Sequence, residues 1–247
     1  MFRTGIEIID RFGGLNEGLN YIIEEPGAGG EEFAYYLLMK NTDKNLKIIS
    51  ISESEEEILK ELEMNLSNEN FDRIAKKLQI VSLDRFYFKG TCIPVRWVLG
   101  KEPDLEDLKG EGDLLSELAN QVDAIEENTV LVLNSLTDLL RIPGKYDVGD
   151  ILAMIHGLRK IALRKNVLVL ILMTKGVISE QYQNLFLSIS DGIMFFEWSK
   201  QGSMERWLYF RKLSGLLPHL ERENITRMKI RFDPVAGFMV TQYERVL

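Results

Sequence analysis

The chain has 247 residues, 45% of them hydrophobic, and a net charge of −8. That length suits one α/β domain or two small ones, and the apolar share supports a sizeable core and excludes global disorder. The acidic balance (isoelectric point near 5.1) argues against a broad nucleic-acid surface. The lone Cys92 excludes a disulfide framework or thiolate metal cluster, and with only His156 and His219 no metal site is expected.

The opening MFRTGIEIID lacks the parts of a signal peptide, and the longest apolar run, Val167–Met173, is too short to span a bilayer. The expectation is a soluble, reduced, cytoplasmic protein that does not meet a membrane. Residues 4–20 read as a glycine-punctuated lead into a strand at Tyr21–Glu24. The turn Pro26-Gly27-Ala28-Gly29-Gly30 follows, and then a helix over about residues 31–40 with Phe33, Ala34, Leu37 and Leu38 on one face.

Strand, glycine-rich turn and helix form the setting of a phosphate-binding loop, where bare N–H groups and a helix N-terminus surround an anion. Such a loop needs a Lys for the phosphates and a Ser or Thr for magnesium. Gly30, Glu31 and Glu32 stand there instead. A unit charge about 4 Å away is worth roughly 4 kcal/mol at an effective dielectric of about 20. A triphosphate is therefore expected to bind weakly, repelled by Glu31 and at longer range by Glu24, Glu25 and Glu32. The carboxylate of Glu31 or Glu32 is expected to fold back onto the N–H groups of Gly27–Gly30. The paired Glu31→Gln, Glu32→Gln change should then lower stability.

Leu46–Ile51 reads as a buried strand. Ser54 caps the next helix, which has Glu55–Glu57 in its first turn and Ile58, Leu62 and Leu66 on its apolar face. The acidic run Glu53–Glu63 reads as a solvated face. A helix at about 69–77 leads to a strand at Leu78–Leu83. Phe86–Phe88 and Val95–Val98 suggest a β-hairpin, and Lys101–Gly112 a charged loop. Leu114, Leu118, Val122 and Ile125 mark a helix, and Thr129–Asn134 a continuous apolar strand that ends on a polar residue, the kind of run a doubly covered parallel sheet requires. A helix over Asp150–Lys165, a strand over Val167–Met173 and a helix near 178–187 come next. Short antiparallel strands follow at Gly192–Trp198, Glu205–Leu213, Arg227–Phe232 and Phe238–Gln242, with a last turn at Asp233-Pro234 and Ala236-Gly237. The whole suggests a single α/β domain, residues 1–247: a mostly parallel central sheet flanked by helices, with a C-terminal antiparallel extension.

The order of short motifs resembles the RecA-like ATPases of the KaiC group, a P-loop NTPase fold, and the single-domain archaeal KaiC-like proteins in particular. Thr4-Gly5-Ile6 with Asp10 is similar to that group's opening, Gly14-Leu15 with Gly18 to its first turn, and PGAGG to its PGTGKT loop. Leu131–Asn134 with Ser135-Leu136-Thr137 resembles its magnesium strand, Ser190–Ile193 its ADGII segment, Arg211–Gly215 with His219 its KMRG…H segment, and Ala236–Val240 its closing strand.

The resemblance places the phosphate Lys on Gly30, the magnesium hydroxyl on Glu31 and the magnesium Asp on Asn134. It places the two acids after the second strand on Ser52 and Glu53, and the interfacial Arg on Ser214, with Lys212 retained. Those departures imply a degenerate, catalytically inactive ATPase fold with no cofactor, acting as a regulatory or scaffolding module for a protein or peptide. Self-association is expected through a surface that brings Lys212 to the Gly27–Glu32 loop of a neighbour. The alternatives are a nucleic-acid accessory factor like the recombinase paralogues, drawing on the basic helix end Arg159–Lys165, or a weak magnesium-dependent ATPase using Lys40, Lys44 or Lys212.

Overall fold

A computed structural model describes residues 1–100, 112–141, 146–199, 204–233 and 237–245. Its strands form one nine-stranded sheet in the order β3-β2-β4-β5-β1-β6-β7-β8-β9. The first six in that order are β3 (Leu78–Ser82), β2 (Asn45–Ser50), β4 (Thr129–Asn134), β5 (Leu168–Thr174), β1 (Gly18–Glu24) and β6 (Gly192–Trp198), all mutually parallel. β7 (Arg206–Leu213), β8 (Ile225–Asp233) and β9 (Gly237–Arg245) continue it antiparallel.

The apolar runs are central because both of their faces are covered. Ile22, Val130, Val132, Leu168, Leu170 and Phe196 face one layer, which includes α2 (Gly30–Lys40). Leu19, Tyr21, Leu131, Leu133, Val169 and Ile171 face the other. That second layer is built from α7 (Leu114–Asp123), α9 (Val148–Lys165) and α10 (Glu180–Ser188), the seventh, ninth and tenth helices among the described residues. No described helix is long and apolar enough to cross a membrane.

α3 (Glu55–Asn65) starts as its sequence dictates. The Glu57 N–H donates to Ser54 Oγ at 3.3 Å and the Ser54 N–H to Glu57 Oε2 at 2.8 Å, a reciprocal capping box. α9 begins earlier than expected, because Asp147 accepts the Gly149 N–H at 2.6 Å and Asp150 falls inside the helix.

The expected hairpin at 86–98 is corrected. Those residues form two short helices, α5 (Asp84–Tyr87) and α6 (Val95–Leu99). Aromatic content suggested a strand. Local bonds prevail: the Phe88 N–H reaches Asp84 O at 2.8 Å, and Phe86 and Tyr87 pack on the second layer. Three further short helices were not foreseen, α1 (Glu7–Arg11), α8 (Leu136–Leu140) and α11 (Leu217–Arg222). The expected loop at 101–112, Gly112 excepted, and part of the last turn lie outside the described residues.

Candidate functional site

β1 ends at Glu24 and α2 begins at Gly30, so the glycine-rich loop sits at the C-terminal end of a central strand. Gly27 and Gly29 hold positive φ, 74° and 100°, which permits the tight reversal. In the motif G-x-x-x-x-G-K-[ST] the positions are first glycine, second glycine, lysine and hydroxyl. Here they fall on Glu24, Gly29, Gly30 and Glu31.

The loop is held by its own chain. The Gly30 N–H donates to Glu24 Oε2 at 2.8 Å. Burial raises the Glu24 carboxyl above its ordinary value, the Gly30 N–H opposes this, Glu32 adds to the rise, and the Glu31 and Gly29 N–H groups oppose it further. Glu25 accepts from Lys175 Nζ at 2.9 Å and from the Trp198 N–H at 2.9 Å, while the Trp198 indole donates to the Pro26 carbonyl at 3.1 Å. Lys175 also reaches Glu197 at 2.6 Å. Burial acts to lower Lys175, but its bonds with Glu197 and Glu25 hold it up at about 12. Arg206 lies 5.0 Å from the Trp198 ring, 5.5 Å from the Phe232 ring and 3.8 Å from Glu32.

Two expectations are thereby corrected. The carboxylate on the loop's N–H groups is Glu24, because it projects from the strand end toward them. Glu31 and Glu32, already inside the first turn of α2, point elsewhere. Glu24 bonds the loop directly and Glu25 is paired with Lys175 and the Trp198 N–H, so neither is merely a distant repulsive charge.

Glu31 points into a cluster with Glu53 and Glu61, whose oxygens lie within 4.8 Å of one another. Asn134 Nδ2 donates to Glu31 at 3.0 Å and to Glu53 at 2.7 Å. The Tyr35 hydroxyl lies 2.8 Å from Glu31 Oε1 and 3.1 Å from Glu61 Oε2. A phenol has one proton to give, so satisfying both contacts requires a proton on one of the carboxyl groups. Burial first, then the charge of Glu61, pushes Glu31 up to about 8 against the opposing bond from Tyr35, with Glu53 and Glu24 adding to the rise. Burial, then Glu61, Asp138 and Glu57, pushes Glu53 up to about 7. Ser52 donates instead to Asp138 at 3.0 Å, a carboxylate that Ser135 also bonds at 2.9 Å.

The structure therefore brings Glu31, Glu53 and Asn134 together. Within one chain it keeps Lys212 and Ser214 away from the loop. They lie where β7 pairs with the start of β6, whereas the loop adjoins Phe196 further along. Lys212 donates to the Ser190 carbonyl and Ser214 Oγ to the Asp191 carbonyl. Glu24, Tyr35 and Glu61 were missed from sequence. Glu61 belongs to the acidic run read as solvated; Glu55–Glu57 are exposed, but Glu61 is half-buried.

The glycine-rich loop thus lies between the central strand of a mostly parallel sheet and the helix that follows it, with a carboxylate cluster beside it. No family model matches the sequence, and no curated protein matches it. Solved structures do. The flagellar accessory protein FlaH of Methanocaldococcus jannaschii has a TM-score of 0.67 at 14% identity, covering 96% of this chain and 95% of that one. A KaiC-like protein of Pyrococcus horikoshii has a TM-score of 0.62 at 17% identity, covering 97% and 98%. The RadB recombinase has a TM-score of 0.63 at 12% identity, covering 98% and 100%. The chain shares their RecA-like, KaiC-type fold.

Proposed function

We propose that the chain is a catalytically inactive protein of this fold that acts as a regulatory or scaffolding module, binding a protein or peptide and associating with itself. One observation carries the reading: Glu31, at the motif's hydroxyl position, converges with Glu53 and Glu61. Phosphoryl transfer needs positive charge at that point. Ionised, a carboxyl about 4 Å from a phosphate costs roughly 4 kcal/mol, or about a thousandfold in affinity; protonated, as burial favours for Glu31, it still supplies no positive charge. A groove of about 330 Å³ lined by Asn184, Leu187, Ser188, Ile193, Arg211 and Lys212 lies along α10, which also exposes Tyr182 and Leu185; it suits a peptide segment. One structural neighbour is itself a flagellar accessory protein.

Isothermal titration of the full chain with ATP and magnesium tests the first half. At most very weak binding is expected, and a micromolar magnesium-dependent site overturns the reading. Light scattering tests self-association, which a monomer at high concentration across salt conditions removes. The likeness to a recombinase and the basic end of α9 favour a nucleic-acid accessory role as second reading. Against it, Arg159 is committed to Asp191 at 2.6 Å, and Lys165 to the carbonyls of Asp123 and Ile125 at 2.9 and 2.7 Å. A salt-dependent titration with single-stranded DNA decides between the two.

A further inference from the structure

Two departures from the phosphate-loop motif fit each other. The motif's lysine position holds Gly30 and its first glycine position holds Glu24. A Cβ at position 30 would sit 3.0 Å from Glu24 Cβ, 3.1 Å from Glu24 Oε2 and 2.7 Å from Ile22 Cγ2. A side chain at position 30 therefore competes with Glu24 for space, and glycine there leaves the room that the carboxylate fills. The carboxylate in turn takes the Gly30 N–H at 2.8 Å and faces those of Gly29 and Glu31. The other side of the loop is covered as well. A Cβ on Gly29 would lie 2.5 Å from the Phe232 ring, and one on Gly27 would lie 3.7 Å from the Trp198 ring.

We propose that Glu24 is a built-in occupant of the phosphate cradle: its carboxylate holds the N–H groups that an external anion would need, and Gly30 is the residue that admits it. The opening of α2 is an N-terminus whose unpaired donors and partial positive charge favour an anion. A carboxylate tethered at that point competes with dissolved phosphate at a high effective concentration. The loop accordingly keeps its shape with no dissociable ligand, and the chain presents one fixed face where an ordinary nucleotide-binding loop would have two states. This rests on the reading that the cleft takes no nucleotide.

Amide hydrogen exchange of the full chain, followed residue by residue by NMR with and without inorganic phosphate, tests it. In the wild type, the Gly29, Gly30 and Glu31 amides are expected to be protected and indifferent to phosphate. Glu24→Ala should cost about tenfold or more in protection, as for a lost bond to a charged acceptor, and in a Glu24→Ala, Glu31→Gln background, which lacks the neighbouring carboxylate that repels an anion, phosphate should restore it. Glu24→Gln keeps an acceptor oxygen and the shape; it should retain part of the protection and serves if the alanine variant does not fold. Gly30→Ala should lower the melting temperature in the wild type. In the Glu24→Ala background that loss should shrink, the contacts with Ile22 and with the Cβ that remains at position 24 accounting for the rest. Unchanged exchange in both Glu24 variants, phosphate that fails to restore protection, or a Gly30→Ala loss of equal size in both backgrounds overturns the inference and leaves the proposed function standing. Magnesium-dependent ATP binding by the wild type overturns the proposed function instead.

Discussion

Replacing Glu31 by Gln removes one carboxylate from a cluster that cannot hold all its charges at once. Glu31 is faced by Glu61, Glu53 and Glu24, by the Tyr35 hydroxyl and by the Asn134 amide. Its carboxyl is raised from 4.5 to about 8, so across that interval the native chain binds a proton that the unfolded chain has released. This contribution to stability is fully present below the ordinary glutamate value and is lost as pH rises through the native value. From those two values, linkage gives a loss of about 3 kcal/mol between about pH 5.5 and about pH 9, of which about 1.4 kcal/mol falls above about pH 7. Glu53, raised to about 7, adds a loss of the same sign at the lower end of that interval. The glutamine variant keeps the side-chain shape and lacks the charge. Its urea midpoint should fall much less over the same range and exceed that of the wild type at the alkaline end. This is the opposite sign to the one expected of a carboxylate folded onto the loop's N–H groups. Parallel decline of the two proteins, or a wild type that does not decline, refutes the reasoning.

Asn134→Asp puts a further carboxylate against Glu31 and Glu53 in place of an amide that donates to both. It should cost about 2 kcal/mol or more at neutral pH, and less in acid, by thermal melts at the two conditions. Arg159→Ala strips Asp191 of a two-pronged ion pair, leaving that carboxylate the Leu19 N–H, and should cost about 1–2 kcal/mol in urea. Ser54→Ala removes one arm of the α3 capping box and should cost about 1 kcal/mol by the same measurement.

The parallel core was legible because residues 129–134 and 167–173 have no polar face to offer water, and only a doubly covered strand accepts that. The loop was legible because its glycines stand in sequence. Its occupant was not. Glu24 ends an apolar strand, and nothing local says that a residue there turns toward Gly30. Glu61 was hidden for a related reason: an acidic helix looks solvated from its own periodicity, and only the approach of Glu31 from the first turn of α2 and of Glu53 from the loop after β2 makes it otherwise. The 86–98 segment failed because aromatic content is a preference for a half-buried surface, and short helices packed on the second layer supply one too.

The placement of β1 also fixes the order in which the chain can complete itself. β1 leaves the ribosome among the first segments, yet its neighbours are β5 and β6, with Gly18 opposite Leu168 and Glu24 opposite Phe196. Trp198 and Phe232, which cover the loop, come later still. Pairing so distant in sequence is slow and leaves apolar surface exposed meanwhile. The first strand made is thus among the last to be sheltered, and Ile22 and Ile23 cannot be covered on both edges of β1 until the C-terminal half has been translated.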